Sequence, residues 1–427
     1  MDGASRRWLA RTKHLPLSDG NWSYSRPASA DDPEQGWKLH ISATILSAVE
    51  VFARVEPILR MKDALFKVPR RLELLRSLNS GLEDFSQIGK FLTIYPRSTG
   101  EALELARELH RVTQGLPGPR IPFEAQYRQK SLVYYRYGAF RRLVKETPGF
   151  IRAPEGKPYR DKRAPGQAVP RWLKDPFQKS RQNSKWGGLI THELLAFKAK
   201  AQRGKGGIYE AIDLSVLPVR RVIIKEGRRH GETNWDGRDG HALIKHEAQV
   251  LRELRKAGLP VPEIFREFTK NGDRYLVLEK ITGRPLLGAK RIQPPNPSCR
   301  RAERILEQLG PMLSRMHAAG WTWRDCKPSH IFIWRGTVRF IDFEGACRID
   351  QTELLPWGSP DYTPPPNRGH LTRRAGTFED DYALGVIAFQ FLSGKFPPRS
   401  PRGRASIYRA TRCPEPLRSR IESLLQI

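Results

Sequence analysis

WRDCKPSHIFI (residues 323–333) and RFIDFEG (residues 339–345) decide the fold of this chain. The apolar runs in these stretches are typical of two short paired strands, which would bring Asp325 and Asp342 into one pocket. In phosphoryl transfer, one carboxylate accepts the proton of the attacking hydroxyl group, and a second holds the magnesium ion that bridges the nucleotide phosphates. The pattern therefore predicts a phosphoryl-transfer centre with Asp325 and Lys327 as catalytic residues and Asp342 as a metal ligand.

The chain also contains the other parts of a kinase site, in the order that kinases use. A turn that begins at Gly204 is rich in glycine, which lets a backbone approach phosphates closely. Lys225 follows a β-branched run and Glu247 lies on a predicted helix, as in the ion pair of kinases. The stretch DDYALG (380–385) resembles the helix whose buried aspartate supports the catalytic loop. We expect an α+β, bilobal, protein-kinase-like domain that binds ATP or GTP and Mg²⁺, with the nucleotide held by Gly204, Gly206, Gly207, Lys225 and Glu247.

Two departures from the kinase pattern bear on activity. His330 stands where kinases place a metal-binding Asn, and imidazole is a poorer ligand for magnesium than an amide oxygen. We expect His330 to join Asp342 at the metal, with one metal position weakened. The stretch GSPDYTPPP (358–366) is typical of the end of an activation loop, but Pro366 replaces the usual Glu. A pseudokinase scaffold without catalytic activity therefore remains an alternative.

The charge of the chain predicts anionic partners. Its 427 residues include 75 Lys and Arg against 45 Asp and Glu, a net charge of +30. Such a charge attracts nucleotides, phosphorylated substrates or acidic peptides. We do not expect nucleic acid as a partner, because the basic residues are spread along the chain without interleaved aromatic residues.

The cysteines and the apolar runs predict a cytoplasmic protein without a membrane segment. The four cysteines are far apart and do not have the spacing of metal ligands, which is typical of reduced thiols. No signal peptide and no apolar run long enough to span a bilayer are found.

Composition divides the chain near residue 150. Residues 147–185 are rich in Pro, Gly, Lys and Arg and have few apolar positions in period, which is typical of a linker. We therefore predict an N-terminal extension (1–35), an α/β domain (36–146), this linker (147–185) and the kinase-like domain (186–427).

Lys and His residues of the α/β domain predict acid/base chemistry. Lys38 and His40 alternate along a predicted strand and therefore share one face. A Lys whose pKa is lowered can abstract a carbon-bound proton, His can protonate a leaving group, and Arg can hold phosphate in bidentate fashion. Solvated strand residues would be the simpler explanation for each position alone. Together they indicate an anionic substrate, with further candidates at Lys67, Lys90, Arg120 and Arg136.

These stretches resemble a known family. The lyase domain of class III and class IV lanthipeptide synthetases is the domain that these stretches resemble: GWKLHIS (36–42), FK (66–67), GKFLTIYP (89–96), GPR (118–120) and YYRYGAF (134–140). That domain in turn resembles the phosphothreonine lyases of bacterial effectors. In the family a kinase domain follows the lyase domain, and DFEGA (342–346) resembles its variant of the magnesium motif. The resemblance covers residues 36–427.

The resemblance implies a two-step dehydration of Ser and Thr in a precursor peptide that carries a leader segment. The kinase would phosphorylate the hydroxyl group, and the lyase would then remove the α-proton and expel phosphate. By motif match, Lys67 would be the base and His40 the acid, while Lys38 would stabilise the enolate. Lys90, Arg120 and Arg136 would hold phosphate.

Some alternatives remain open at this point. Family synthetases continue into a cyclase domain that this sequence does not contain, so we expect a separate cyclase, a product without rings, or a truncated or degenerate copy. A Ser/Thr protein kinase with a non-catalytic, phosphopeptide-binding N-terminal domain is the main alternative function.

Overall fold

The computed structural model of the protein describes residues 2–140, 149–161, 163–164, 168–177, 188–288, 293–365 and 372–426. The chain forms two compact units. The first comprises residues 1–210, 225–242 and 269–274, and the second comprises residues 211–224, 243–268 and 275–427.

A seven-stranded sheet forms the centre of the first unit, with the strand order β1-β2-β4-β5-β3-β7-β6. Its elements are α1 (Asp2–Thr12), β1 (Leu17–Ser18), β2 (Trp22–Tyr24), β3 (Gln35–Ile41), α2 (Ala48–Met61), β4 (Leu65–Pro69), α3 (Leu72–Ser80), a 3₁₀ turn (Phe85–Gln87), β5 (Leu92–Tyr95), α4 (Thr99–Thr113), β6 (Ala125–Gln126) and β7 (Val133–Ala139). Helices and strands alternate along the chain, as expected, but every strand pair is antiparallel. The order of elements in a sequence does not fix the direction in which strands pair.

One face of this sheet is apolar and carries the core of the unit. Leu39 and Ile41 of β3 are fully buried in this core, because side chains alternate between the two faces of a strand. Helix α2 packs into the same core through apolar residues at helical spacing, including Phe52. Lys38 and His40 therefore point to the opposite, polar face.

The segment before β3 belongs to the same unit. Trp8 of α1 is fully buried in this core, and its Nε1 donates a hydrogen bond to the carbonyl oxygen of Pro69 at 3.0 Å. Strand β2 pairs with β4. The predicted extension of residues 1–35 thus contributes a helix and two strands to the domain that we predict to begin at residue 36.

Part of the predicted linker also packs into the first unit. Its described residues form the antiparallel pair β8 (Phe150–Arg152) and β9 (Pro158–Arg160). Phe177 joins the core, where its ring stacks on Tyr135 with 4.0 Å between centroids. Composition does not reveal that this segment contains a strand pair and a few buried side chains.

A second sheet has six strands in the order β10-β11-β12-β13-β15-β14. Its strands and the neighbouring helix are β10 (Leu189–Thr191), β11 (Leu194–Gln202), β12 (Gly206–Asp213), β13 (Arg220–Gly227), α5 (Gly240–Lys256), β14 (Ile264–Lys270) and β15 (Asp273–Glu279). The borders between the two units fall inside β12, β13, β14 and β15.

Helices build most of the rest of the second unit. Its elements are β16 (Arg284–Pro285), α6 (Cys299–Ala318), β17 (Trp321–Thr322), a 3₁₀ turn (Pro328–His330), β18 (Ile331–Trp334), β19 (Thr337–Phe340), β20 (Cys347–Arg348), β21 (Thr352–Leu354), a 3₁₀ turn (Pro360–Tyr362), β22 (Thr372–Arg374), α7 (Phe378–Ser393), α8 (Pro401–Ala410) and α9 (Glu415–Leu425). Helix α7 is buried along most of its length and packs against α6 and α9. Strands β18 and β19 form the predicted hairpin. Among the described residues, no helix is both long and apolar enough to cross a membrane.

Candidate active sites

Strand register gathers the predicted lyase residues on the polar face of the seven-stranded sheet. His40 of β3 lies opposite Thr93 of β5, and Thr93 lies opposite Lys67 of β4. On the other side of β3, Lys38 lies opposite Arg136 of β7. Because directly opposed residues of neighbouring strands point to the same face, these side chains share one surface. We call it the polar sheet face.

Glu124 binds both His40 of the polar sheet face and Lys90, which precedes β5. Its Oε2 lies 2.7 Å from Nδ1 of His40, and its Oε1 lies 2.9 Å from Nζ of Lys90. Burial lowers the pKa of His40 to about 4, although the carboxylate of Glu124 opposes this shift. Burial alone would raise the pKa of Glu124, but His40 and Lys90 hold it below its ordinary value.

Lys38 and Arg136 lie near a second, partly buried carboxylate. Arg136 forms an ion pair with Asp161, which follows β9. Gly138 leaves room for this approach, because a Cβ atom there would lie 2.9 Å from Oδ2 of Asp161. Burial lowers the pKa of Lys38 to about 7; Asp161 opposes the shift, and Arg136 and other cations reinforce it. Lys38 therefore carries a substantial neutral fraction near neutral pH.

Lys67 lies on the polar sheet face, and Arg163 lies within electrostatic reach of its lysines. Nζ of Lys67 lies 4.1 Å from the centre of the Trp22 ring, and burial lowers the pKa of this lysine. The charge of Arg163 contributes to the lowered pKa of Lys38, Lys67 and Lys90, so it lies within electrostatic reach of all three. Arg163 donates long hydrogen bonds to Asp84 and Ser86, at 3.5 and 3.4 Å.

Arg120 is placed differently from the other predicted phosphate ligands. Its guanidinium is half exposed and forms an ion pair with Asp273, a buried residue of β15 outside the seven-stranded sheet. Asp273 also accepts a hydrogen bond from the backbone N–H of Arg229. The structure thus brings Lys38, His40, Lys67, Lys90 and Arg136 together, whereas the carboxylate partner of Arg120 lies outside the seven-stranded sheet.

The second unit contains the predicted phosphoryl-transfer residues. Nζ of Lys327 lies 2.9 Å from Oδ2 of Asp325 and 2.9 Å from Oγ of Ser359. The hydroxyl of Ser359 also lies 3.3 Å from Oδ1 of Asp325. The carboxylate is therefore held by a cation and a hydroxyl group, in a position that can accept the proton of a substrate alcohol.

His330 lies between the two aspartates of the second unit. Its Nδ1 is 3.4 Å from Oδ2 of Asp325, and its Nε2 is 3.3 Å from Oδ2 of Asp342. Ligand atoms of these three residues all lie within 4.8 Å of one another, and the same holds for Glu247, Asp342 and Glu344. Asp342 is common to both groups, so the predicted metal ligands Asp342 and His330 are brought together.

Buried Asp380 supports the catalytic loop, as the sequence predicts. Its carboxylate accepts hydrogen bonds from the backbone N–H groups of Trp323 and Arg324, both at 2.8 Å. The indole N–H of Trp323 in turn donates to the carbonyl oxygen of Asp342 at 2.8 Å. Arg324 and Asp342 have positive φ angles of 66° and 70°, and residues in this conformation are often found at functional sites.

The Gly-rich turn lies in the first unit and is closely packed by protein atoms. The backbone N–H of Gly204 donates to the carbonyl oxygen of Ser80 at 2.8 Å. A Cβ atom on Gly204 would lie 1.7 Å from the carbonyl oxygen of Asn79, and one on Gly206 would lie 1.7 Å from that of Glu226. These glycines are thus required by packing, which adds a reason to the phosphate approach that we predict.

The remaining predicted kinase residues are found in both units. Lys225 is buried on β13 in the first unit. Glu247 is buried on α5 in the second unit, where its carboxylate accepts a hydrogen bond from the N–H of Phe343 at 3.0 Å. Their pairing stays a prediction, as does the role of Gly207. Pro366 lies outside the described residues.

Comparison with known proteins identifies the two parts of the chain. Residues 7–187 match the family model described as RamC, N-terminal domain, and residues 229–354 match that of the lipopolysaccharide kinase (Kdo/WaaP) family. The chain carries a RamC-type N-terminal domain and a kinase-like domain. These matches confirm the resemblance that the sequence predicts.

Two named proteins are similar to large parts of this chain. The chain is 30% identical over 412 residues to the probable SapB synthase of Streptomyces coelicolor, an alignment that covers 90% of this chain and 43% of that protein. It is 31% identical over 206 residues to the serine/threonine-protein kinase PknA of Mycobacterium tuberculosis, which covers 46% of each chain. The chain therefore spans less than half the length of these relatives.

Sequence reasoning misses the partners that hold the site residues. In the RamC-type domain these are Glu124, Asp161 and Arg163, and in the kinase-like domain the main example is Ser359. Asp161 and Arg163 lie in the segment predicted as a linker, and no periodic pattern surrounds them. Ser359 belongs to a quoted motif, so its contact with Asp325 could have been anticipated.

Proposed function

We propose that the protein dehydrates Ser and Thr residues of a precursor peptide by phosphorylation followed by elimination of phosphate. One observation carries the proposal: a cationic, buried sheet face and an aspartate-centred site occur in one chain, each with its own acid/base groups. The similarity to the SapB synthase of Streptomyces coelicolor supports a peptide substrate. A leader segment on that peptide and a separate cyclase are further expectations.

In the kinase-like domain, Asp325 would accept the proton of the substrate hydroxyl group as its oxygen attacks the terminal phosphate. Lys327 would neutralise the phosphate charge that develops beside this carboxylate. Mg²⁺ is implied by the kinase family, and the mainly oxygen donors around Asp342 suit this ion. When bound with ATP or GTP, the ion would supply charge neutralisation, and Asp342 with His330 or Glu344 would hold it.

In the RamC-type domain, a neutral lysine would remove the α-proton of the phosphorylated residue. The electron pair of the C–H bond would then form the double bond, and the C–O bond to phosphate would break. His40 would protonate the departing phosphate, and Arg136 and Lys90 would hold its oxygens. The product would be dehydroalanine or dehydrobutyrine.

Two lysines are candidates for the base. Motif match assigns this role to Lys67 and the stabilisation of the enolate to Lys38. Burial, however, brings the pKa of Lys38 to about 7, which suits a base that must be neutral at working pH. We propose that one of the two lysines is the base and the other the electrostatic partner, and their individual substitution separates the alternatives.

A Ser/Thr protein kinase with a phosphopeptide-binding N-terminal domain is the second candidate. The similarity to PknA over 206 residues favours this alternative for the kinase-like domain alone. In this case the polar sheet face would bind phosphate without breaking the C–O bond.

Mass spectrometry tests these functions. The protein would be incubated with ATP or GTP, Mg²⁺ and the precursor peptide encoded beside it. Dehydration lowers the peptide mass by about 18 Da per residue, whereas phosphorylation alone raises it by about 80 Da. A peptide that only gains phosphate would overturn the dehydration proposal in favour of the second candidate, and an unchanged peptide would indicate a scaffold.

A further inference from the structure

Glu124 is a buried acid that lies in no motif of the chain. It precedes β6, and its side chain is only 1% exposed. Each of its two carboxylate oxygens lies beside a different cation or potential cation, Lys90 on one side and His40 on the other. A single buried carboxylate is costly unless it is paired, so this arrangement is stable only while the three groups stay together.

The contact with Glu124 decides which nitrogen of His40 can work. A carboxylate accepts hydrogen bonds only, so Nδ1 must carry a proton and donate it to Oε2. Nε2 has no hydrogen-bond partner among the residues that the structure describes. It is therefore the ring nitrogen that can meet a substrate.

The same contact decides whether His40 can act as an acid. To donate a proton from Nε2, the ring must first be protonated on both nitrogens, and burial opposes that charge. Lys38 and Lys90 oppose it as well, because they are the other cations near the ring. Glu124 is the nearby group that favours the imidazolium ion.

We propose that Glu124 is a positioning residue for phosphate elimination, which fixes the Nδ1–H form of His40 and stabilises its protonated state through the 2.7 Å contact. This inference rests on the proposed lyase function. Lys90 neutralises the carboxylate when His40 is neutral, so Glu124 stays ionised at each stage. Arg136 does not share this anion, because it has its own partner in Asp161.

The test uses the full chain and a synthetic phosphoserine peptide, with phosphate release as the measurement. Glu124→Gln should lower kcat by roughly tenfold or more, because the amide cannot stabilise the imidazolium ion. KM should change little, since Arg136 and Lys90, the residues that we propose to hold phosphate, are unchanged. The phosphorylation of unmodified precursor peptide should be unchanged, because it depends on the separate site around Asp325.

Glu56 provides a matched control. It is a buried glutamate of α2 in the same unit, and it lies 3.3 Å from His14 and 3.7 Å from Arg60. Glu56→Gln should leave both steps at the level of the unmodified protein after correction for any loss of folded protein.

The outcomes separate the inference from the function on which it rests. If the unmodified protein releases no phosphate, the proposed lyase function fails. If it does release phosphate while Glu124→Gln retains full kcat, only the role of Glu124 is overturned. A rise in KM without a fall in kcat would also overturn it, because it would assign Glu124 to phosphate binding through Lys90.

Discussion

The polar sheet face and the site around Asp325 are assembled in different ways. Around Asp325 the main partners, Lys327 and His330, lie within five residues, and a short hairpin brings in Asp342. On the polar sheet face the corresponding partners are far apart in sequence: Glu124 lies 84 residues from His40. A local motif therefore predicts most residues of the site around Asp325. The polar sheet face, in contrast, depends on sheet register and on loops without a sequence pattern.

If the two sites are chemically independent, the largest effect should come from Asp325→Asn. The amide cannot accept the proton of the substrate hydroxyl group, so phosphorylation should fall by about 10²–10⁴-fold. Phosphate release from a synthetic phosphopeptide should remain as in the unmodified protein. Loss of both activities in a folded variant would contradict the two-site comparison.

The reverse separation should follow from Lys67→Ala or His40→Ala. Elimination should fall by about 10²–10⁴-fold, because the variant lacks either the acid or a lysine that acts as the base or as its electrostatic partner. Phosphorylation should continue, so phosphorylated precursor peptide should accumulate, and its mass measures this directly. A loss of phosphorylation in these variants would instead support one shared site.

The pH dependence of elimination sharpens the choice between the two lysines. A base must be neutral, so activity is lost as the pH falls through the pKa of that base. If Lys38 is the base, kcat/KM for a phosphopeptide should fall about tenfold per pH unit below about 7 and level off above it. Burial is the main cause of this lowered pKa; Asp161, which faces Lys38, raises it, and Arg136, Arg163 and Lys67 lower it further.

Lys38→Arg serves as the control for this profile. Arginine keeps the positive charge but does not titrate near neutral pH, so the step near pH 7 should disappear together with most of the activity. If Lys38→Arg retains both the rate of elimination and the fall of kcat/KM below about pH 7, Lys67 is the base.

The smallest effect is expected at His330. His330→Asn should preserve or raise the rate of phosphorylation with Mg²⁺ within a few-fold, because an amide oxygen suits this ion better than imidazole. Manganese should favour the native His330 relative to the variant. Equal metal preference in the two proteins would show that His330 only packs between Asp325 and Asp342.

Elements with a strong period are predictable from this sequence. The two short paired strands expected within residues 323–333 and 339–345 are β18 and β19, and the helix expected to carry Glu247 is α5. The two-residue strands β1 and β6 are too short to show any period, and their pairing depends on neighbours that are distant in sequence. The domain borders stay predictions, although α1 and part of the predicted linker lie within the first unit.

The candidate residues were predictable by type and motif, but their partners were not. Lys38 and His40 share a face because alternation in a strand is a local property. The ion pair of Arg136 with Asp161 joins two segments that no local rule connects. Arg120 is a different case: its motif indicates a phosphate ligand, but in the fold its guanidinium forms an ion pair with Asp273.

The packing of Gly204 restricts how such chains can be recombined. Gly204 fits against the end of α3, where the side chain of Asn79 also binds the carbonyl oxygen of Ala43 and the N–H of Gly89. Joining the RamC-type domain of one protein to the kinase-like domain of another would preserve the motifs of each domain. It would not preserve the packing of Gly204 against the end of α3. A functional hybrid would therefore need to inherit the Gly-rich turn and the end of α3 from the same parent.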